Sequence, residues 1–218
     1  VGDRPRGRLR VTAAAAFGVH QIVPVLPEFL ALCPEVHIEL NITDRLVDLV
    51  EEGYDVGVRT GALADSSLIS RLVAEDHRII CASPSYLRRH GVPLAPDDLA
   101  HHNCLTWTGD PGHLNDWPFE GPQGPYTLRV HGNTEVNNGE ALSELALAGV
   151  GLGHLARFRI ADDVRAGRLV EVLAEHHRFV KLPIHIVYPH RRHLSPKVRA
   201  FTDFLAGKLT PVPPWEIG

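Results

Sequence analysis

The first part of the chain switches between two hydrophobic periods. Residues 9–13 alternate apolar and polar positions, which predicts a β-strand. Between Ile22 and Leu32 the apolar residues recur at helical spacing, and Pro34 ends that pattern. Residues 36–42 alternate again and predict a second strand.

The next residues continue this order. Leu46, Leu49 and Val50 predict a short helix that ends near Gly53, and residues 56–58 predict a third strand. The order strand, helix, strand, helix, strand is a βαβαβ unit, which predicts a parallel sheet with right-handed crossovers. The predicted fold class is therefore α/β.

The middle of the chain is less regular. Residues 79–82 form an apolar strand pattern, and residues 83–85 (Ser-Pro-Ser) have the composition of a helix start. Residues 101–135 are rich in His, Gly, Pro and Trp and predict irregular structure with short strands. Asn137, with Glu140 three positions later, is similar to a capping box that begins a helix.

The last part of the chain predicts a return to the first sheet. Residues 184–187 predict a strand, and Ser195 begins a helix that Gly207 is expected to end. Because this strand and helix lack a sheet of their own, we place them in the first lobe. Two crossovers would then act as a hinge, and a cleft between the lobes is a usual place for a small ligand. The predicted division is a linker remnant at 1–7, lobe I at 8–77 and 183–207, lobe II at 78–182, and a tail at 208–218.

Composition narrows the function classes. The chain has 218 residues, with 22 Lys+Arg against 26 Asp+Glu and a formal net charge of −4 at pH 7. This balance excludes a strongly basic nucleic-acid surface for the chain as a whole. No apolar run approaches the roughly 18 residues of a membrane span, so we expect no membrane partner. Three cysteines favour a reducing cytoplasm, and the absence of Met predicts a fragment of a longer protein.

Three predicted helix starts offer groups suited to an anion. They are residues 12–18 (Thr-Ala-Ala-Ala-Ala-Phe-Gly), Thr43-Asp44 and residues 137–139 (Asn-Asn-Gly). Each would present unpaired N–H donors and the positive end of a helix dipole. The alternative is that Thr43, Asp44 and Asn137 only cap their own helices. Asp44 also opposes an anion near the second helix, because like charges repel.

Other residues do not favour catalysis or metal binding. The glycine run 149–153 lacks the spacing of a phosphate-binding loop, so we predict a tight turn with close packing. The 14 histidines show no metal-binding spacing. Cys33 and Cys81 lie in apolar patterns typical of a core, and Trp107 at a strand end favours packing over a pocket lining. We therefore expect no catalytic residues, no metal and no cofactor.

A series of short motifs runs through most of the chain. The motifs are residues 7–11 (GRLRV) leading to Phe17-Gly18, 23–29 (VPVLPEF), 34–36 (PEV), 43–49 (TDRLVDL), 52–59 (EGYDVGVR), 81–87 (CASPSYL), 137–142 (NNGEAL) and 188–195 (YPHRRHLS). In this order, over about residues 7–207, they resemble the effector-binding (substrate-binding) domain of LysR-type transcriptional regulators.

The resemblance implies a two-lobed fold like that of type 2 periplasmic binding proteins, each lobe a central sheet flanked by helices. It implies a regulatory role, with a small-molecule inducer in the cleft that shifts the hinge by its differential affinity for the two closures. DNA binding would belong to a winged helix-turn-helix domain that this chain lacks. The expected assembly is a cytoplasmic homodimer that uses residues 23–32, with a tetramer as an alternative for the full-length protein.

The resemblance also implies which residues meet the effector. Ala16 departs from similar sequences, where a hydroxyl residue is frequent, and this indicates a less polar or differently oriented ligand. His154 also departs from the usual aliphatic residue and is expected either toward the pocket or in the core. The expected effector-binding residues are Ala14, Ala15, Ala16, Phe17, Thr43, Arg59, Trp107, Asn137, Asn138 and His154.

Two alternatives come from other classes of protein. One is an extracytoplasmic solute-binding protein of the same fold, which a signal peptide upstream would distinguish from a regulator. The other is an enzyme on a two-lobed scaffold, which the missing catalytic constellation disfavours and which turnover of a metabolite panel would test.

Overall fold

A computed structural model describes residues 4–63, 67–189 and 194–217. The strands are β1 (Gly7–Ala13), β2 (Val36–Ile42), β3 (Val56–Thr60), β4 (Ile69–Asp76), β5 (Arg78–Ala82), β6 (Thr106–Trp107), β7 (Asp116–Gly121), β8 (Gly124–Arg129), β9 (Glu135–Val136), β10 (Gly153–Ala156), β11 (Val170–Glu171) and β12 (Leu182–Tyr188). The α-helices are α1 (Ala15–Phe17), α2 (Leu26–Leu32), α3 (Pro84–His90), α4 (Gly139–Leu147), α5 (Arg157–Arg165) and α6 (Pro196–Leu209). Short 3₁₀ or π segments are Gly18–Ile22, Val23–Val25, Pro96–His101, Pro111–His113 and Pro214–Glu216.

Contacts between residues divide the chain into two units. Unit 1 consists of Val1–Asp76 and Leu182–Ile217, and unit 2 consists of His77–Lys181. Each unit contains strands and helices of its own. The predicted α/β fold class is confirmed.

Unit 1 is built on a five-stranded sheet with the order β2-β1-β3-β12-β4. β1 pairs in parallel with both β2 and β3, as the βαβαβ pattern predicts. β12 lies between β3 and β4 and is antiparallel to both. The last strand of the chain is therefore an interior strand of this sheet.

Aromatic side chains from the helices fill the core of unit 1. Phe29 of α2 makes an edge contact with Phe201 of α6, with ring centroids 5.4 Å apart. α6 buries Val198, Phe201 and Leu205, the face that its sequence pattern predicts. Such burial is the main favourable term in folding.

The predicted helix near residues 46–50 is absent. Residues 44–45 form bends, residues 46–48 have no regular structure and residues 49–53 form turns. The Asp48 side chain accepts the N–H groups of Val50 and Glu51 at 2.9 Å each. This local bonding by a short polar side chain competes with helix formation.

Burial in the same segment also departs from helical spacing. Val47 and Leu49 are buried, whereas Leu46 is 85% exposed. The buried positions are therefore two residues apart, and the prediction of a buried helical stripe that includes Leu46 is wrong.

Two other local predictions need correction. Gly207 lies inside α6, which continues to Leu209, so it does not end the helix. Cys33 is only half-buried, because it follows the last turn of α2, whereas Cys81 is buried in β5 as predicted.

The helical stretch Ala15–Leu32 is long and apolar enough to cross a membrane by length and composition alone, with a mean hydropathy of 1.4. The sequence pattern predicted no apolar run of this length. A core helix passes the same test, but only 22% of this stretch is buried, including Phe17, Ile22 and Phe29 in unit 1.

Unit 2 is organised around β5. β5 pairs in antiparallel fashion with β10 on one side and β11 on the other. Ile80 and Ala82 pack into one hydrophobic cluster, and Ile79 and Cys81 pack into another. Both faces of β5 are covered, which explains why its sequence is continuously apolar.

The region predicted as irregular contains a regular hairpin. β7 and β8 pair in antiparallel register from Asp116 opposite Arg129 to Gly121 opposite Gly124. Trp117 and Phe119 of β7 are buried in the core of unit 2. Short strands were expected in this region, but their pairing as a hairpin was not predicted, because Pro and Gly interrupt the alternation.

The glycine run 149–153 permits close packing, as predicted. Gly149 has a φ of +78°, a conformation that favours glycine. A Cβ on Gly151 would lie 2.4 Å from the carbonyl oxygen of Asn103. The run is therefore structural and holds α4 against the following strand.

Two histidine rings meet inside unit 2. The Nε2 atoms of half-buried His154 and buried His177 lie 2.9 Å apart, as in a hydrogen bond between neutral rings. Trp117 and Phe119 border the pair. Burial lowers the pKa of His154 well below its usual value and lowers the pKa of His177 to about 4.

The variant Gly151→Ala should lose about 1–3 kcal/mol of unfolding free energy, because its methyl group meets backbone that cannot move aside. Gly207→Ala is the matched control. It should gain about 0.5–1 kcal/mol, because Gly207 is helical and has open space at its Cβ position. Urea unfolding followed by circular dichroism measures both, and equal stability of the two variants would contradict this account.

Acid should weaken unit 2. Above about pH 6.5 both rings are neutral in the folded and the unfolded chain. As the pH falls toward about 4, the unfolded chain binds protons that the folded chain does not. The unfolding free energy should therefore fall in this window, on the order of 3 kcal/mol for His177 alone. Urea unfolding between pH 7.5 and pH 4.5 should show a shallower pH dependence in the double variant His154→Leu/His177→Leu; an unaltered slope would exclude the pair as its source.

Candidate functional site

The carboxyl ends of β1, β2 and β3 lie side by side in unit 1, because these strands are parallel. β2 and β3 flank β1 on opposite sides, so the direction of the crossovers reverses at β1. Ligands of open α/β sheets bind beyond the carboxyl ends of the strands at such a point. This edge brings together Ala14, Ala15, Thr43 and Arg59 of the predicted set.

Asp44 follows β2, and its carboxylate reaches the start of α1. Its Oδ1 accepts the N–H of Ala15 at 2.8 Å. Thr43 begins no helix, and its hydroxyl accepts the N–H of Arg45 at 3.1 Å. An internal carboxylate therefore already uses one of the donors that the sequence pattern offers to an anion. The parallel register of β1 and β2 is the signal that would have placed Asp44 beside Ala15.

Arg59 ties two neighbouring strands to this edge. Its guanidinium donates to the carbonyl oxygen of Thr43 at 3.1 Å and to the hydroxyl of Thr12 at 3.0 Å. Burial lowers the pKa of Arg59 from its usual value, and the Asp44 carboxylate opposes that shift. Both bonds go to neutral oxygens, so the guanidinium keeps its capacity to attract an anion.

The two residues after Ala15 differ in their surroundings. Ala16 is half-buried and contributes only a methyl group. Phe17 is fully buried, and its ring makes an edge contact with Trp215 at 6.0 Å between centroids. The Phe17 side chain therefore packs in the core of unit 1, and the contact between Phe17 and the effector stays a prediction.

In unit 2 the start of α4 is capped by Asn138. Its Oδ1 accepts the N–H groups of Glu140 at 2.8 Å and Ala141 at 3.2 Å. The prediction that Asn137 caps the helix is therefore off by one residue. The Asn137 side chain is exposed and makes no hydrogen bond to another described residue, so its amide can bind a ligand.

Trp107 lies against this helix start. A Cβ on Gly139 would be 3.6 Å from the Trp107 ring. Asn115 accepts the N–H of Trp107 at 2.7 Å and donates to its carbonyl oxygen at 2.9 Å, which orients the strand. The structure thus brings Trp107, Asn137 and Asn138 together in unit 2.

The sequence analysis missed the partner of Glu140. The buried Arg159 donates to its carboxylate at 2.5 Å and to its carbonyl oxygen at 3.0 Å. This pair holds the first turn of α4 to α5.

His154 lies apart from the other unit 2 residues. It is the register partner of Ile80, whereas Leu155 is the partner of Ile79. Trp107 packs with the cluster of Ile79, on the opposite face of the sheet. His154 therefore pairs with His177 in the core, which is one of the two places expected for it.

One group in unit 2 has the composition of a cation site. The side chains of Asp110, His113 and Asp116 converge within 4.8 Å. Arg129 already donates to both carboxylates, so the guanidinium takes the place of a cation.

Comparison with known proteins agrees with this architecture. Residues 2–210 match the family model of the LysR substrate binding domain. The chain is 38% identical over 193 residues to an uncharacterized HTH-type transcriptional regulator of Haemophilus influenzae, covering 88% of this chain and 66% of that protein. It is 33% identical to the HTH-type transcriptional regulator CrgA of Neisseria meningitidis, over 96% of this chain and 69% of the relative. The chain thus spans about two thirds of the length of these relatives.

Solved structures give the same result. The CrgA regulatory domain from Neisseria meningitidis matches with a TM-score of 0.87 and 32% identity, over 94% of this chain and all of that domain. Full-length AphB from Vibrio cholerae matches with a TM-score of 0.81 and 28% identity, over 94% of this chain and 70% of AphB. These LysR regulatory domains have the two-lobed fold of periplasmic binding proteins. Among the alternatives raised by the sequence, the matches favour a regulator over a solute-binding protein. The chain belongs to the LysR-type transcriptional regulators, of which it is the effector-binding (substrate-binding) domain.

Proposed function

We propose that this chain senses a small-molecule effector for a LysR-type regulator and transmits its binding to a DNA-binding domain. Regulators of this family bind small-molecule effectors and DNA and form oligomers. The match of residues 2–210 to the substrate-binding domain carries the proposal. The effector acts through its differential affinity for two conformations of the domain, with no bond made or broken.

The proposed effector contacts come from two groups of residues. In unit 1 they are the backbone of Ala14–Ala16, Thr43 and Arg59, and in unit 2 they are Trp107, Asn137 and Asn138. The support for them is their convergence within each unit and the free amide of Asn137. Because Asp44 already bonds Ala15, we expect an effector with hydroxyl or amide groups or one anionic group, rather than a polyanion.

The regulator also needs a partner subunit, and we propose a homodimer through the stretch Ala15–Leu32. Val19, Val23, Leu30 and Leu32 of this stretch are exposed. Burying such side chains against a second copy removes apolar surface from water.

The variants Thr43→Val and Asn137→Ala should each weaken effector binding by roughly tenfold, the effect of losing one polar contact. A thermal-shift screen of carboxylates, aromatic compounds and amino acids first identifies a binder. Titration calorimetry with that compound then compares the variants with the parent chain.

Two control variants separate binding from folding. Ser83→Ala should lower the melting temperature, because it removes the cap of α3 outside the proposed contacts. Thr127→Val, on the exposed strand β8, should alter neither stability nor affinity. Parent-like affinity in both Thr43→Val and Asn137→Ala would exclude these positions from the binding site.

Dimer formation should fail in Val23→Arg, because the charge would be buried against the partner subunit. Val92→Arg is the control, since Val92 is similarly exposed (53% against 44%) and lies in unit 2. Analytical ultracentrifugation measures the mass of both, and a dimeric Val23→Arg protein would contradict the proposed interface.

A further inference from the structure

A groove crosses one face of the unit 1 sheet. Residues 46–51 run over this face without forming a helix, and Leu49 packs against Gly57 of β3. The rest of the face stays open and forms a cavity of about 1040 Å³, at the upper end of the range for small-molecule sites. Among the described residues, those that line this cavity all belong to unit 1.

The floor of the groove is polar. Arg59 and His185 are register partners on the antiparallel strands β3 and β12, so their side chains project from the same face. The guanidinium bonds two neutral oxygens. The Nδ1 atom of His185 is buried and has no hydrogen-bond partner among the described residues. A buried nitrogen without a partner is costly, and as Nδ1–H it can donate a hydrogen bond to a bound anion, whose charge the Arg59 guanidinium balances.

The walls of the groove are apolar. Leu46 is 85% exposed, Val50 is 64% exposed and Leu63 is 38% exposed. Three large apolar side chains around one cavity form a patch that water solvates poorly. The apolar part of a ligand would cover them.

The rim limits the charge of the ligand. Asp48 and Glu51 line the cavity, and the Asp48 carboxylate is occupied by the N–H groups of its own turn. Their negative charges repel a second anionic group, whereas a single carboxylate can reach Arg59 on the floor.

We propose that this groove is a second small-molecule site, which binds a monocarboxylate with an apolar body, such as a medium-chain fatty acid. The carboxylate pairs with Arg59 beside His185, and the apolar body lies along Leu46, Val50 and Leu63. The site lies within unit 1. It shares Arg59 with the proposed effector site and differs from that site by using Leu46, Val50 and Leu63 and by not using the Asn137 side chain.

Titration calorimetry on the whole chain tests the proposal. The probe is octanoate, and the comparison compounds are octanamide and the dianion suberate. Octanoate should bind at least about tenfold more tightly than either comparison compound, because only it brings one negative charge. Leu46→Glu should weaken octanoate binding at least about tenfold by adding a like charge to the wall, and Arg59→Gln should do so by removing the cation.

The control Leu94→Glu changes a leucine of similar exposure (77%) in unit 2 and should leave octanoate affinity unchanged. Asn137→Ala should also leave it unchanged. Nuclear Overhauser contacts from octanoate to the methyl groups of Leu46 and Val50 provide a readout that does not depend on any variant.

Three outcomes of the binding measurements would overturn the proposal. They are no octanoate binding at millimolar concentration, equal affinity for octanamide, and a loss of affinity with Asn137→Ala but not with Leu46→Glu. The last outcome would place octanoate at the effector site, so this inference would fail while the proposed function stood. Concentration-dependent association that Leu46→Glu abolishes, without octanoate binding, would assign the groove to a second copy of the chain and would also overturn it.

Discussion

The sheet of unit 1 has to be covered on both faces, because interior parallel strands carry apolar side chains on either side. One face is covered by helical segments whose aromatic rings interlock, as Phe29 does with Phe201. On the other face, the described residues that pack against Val187 of β12 include Val47 and Leu49 of the irregular segment 44–53, together with Tyr54 and Leu68. This unequal coverage of the two faces leaves the cavity above Arg59 and His185.

The parallel pairing of β1 with β2 and β3 has a second consequence at the carboxyl edge. It places Asp44 beside Ala15 and Arg59 beside Thr43, although these residues are distant in sequence. Positive and negative side chains are thus both built into this edge. A ligand that binds there competes with the Asp44 carboxylate for backbone N–H donors and is attracted by the Arg59 guanidinium. A ligand with one negative charge is therefore favoured over a polyanion.

Unit 2 uses buried polar groups to join its elements. Arg159 holds Glu140 at the start of α4, and His154 holds His177. A histidine pair is compatible with an aromatic core only while both rings are neutral, because a buried charge without a partner is costly. The same contact that joins these segments therefore makes the stability of unit 2 sensitive to acid.

The hydrophobic periods of the chain were enough to predict the α/β class, the parallel strands of unit 1 and the buried strand β5, because these depend on local alternation. The motif order was enough to identify the family. Sequence pattern could not predict that residues 44–53 form no helix, that Asn138 caps α4 or that His154 pairs with His177. Those outcomes depend on which groups compete for the same hydrogen-bond donors and on the face of β10 from which His154 projects. They also depend on the area of the unit 1 sheet that residues 44–53 can cover. Tertiary packing decides them, since a residue pattern defines a face but not the partner that meets it.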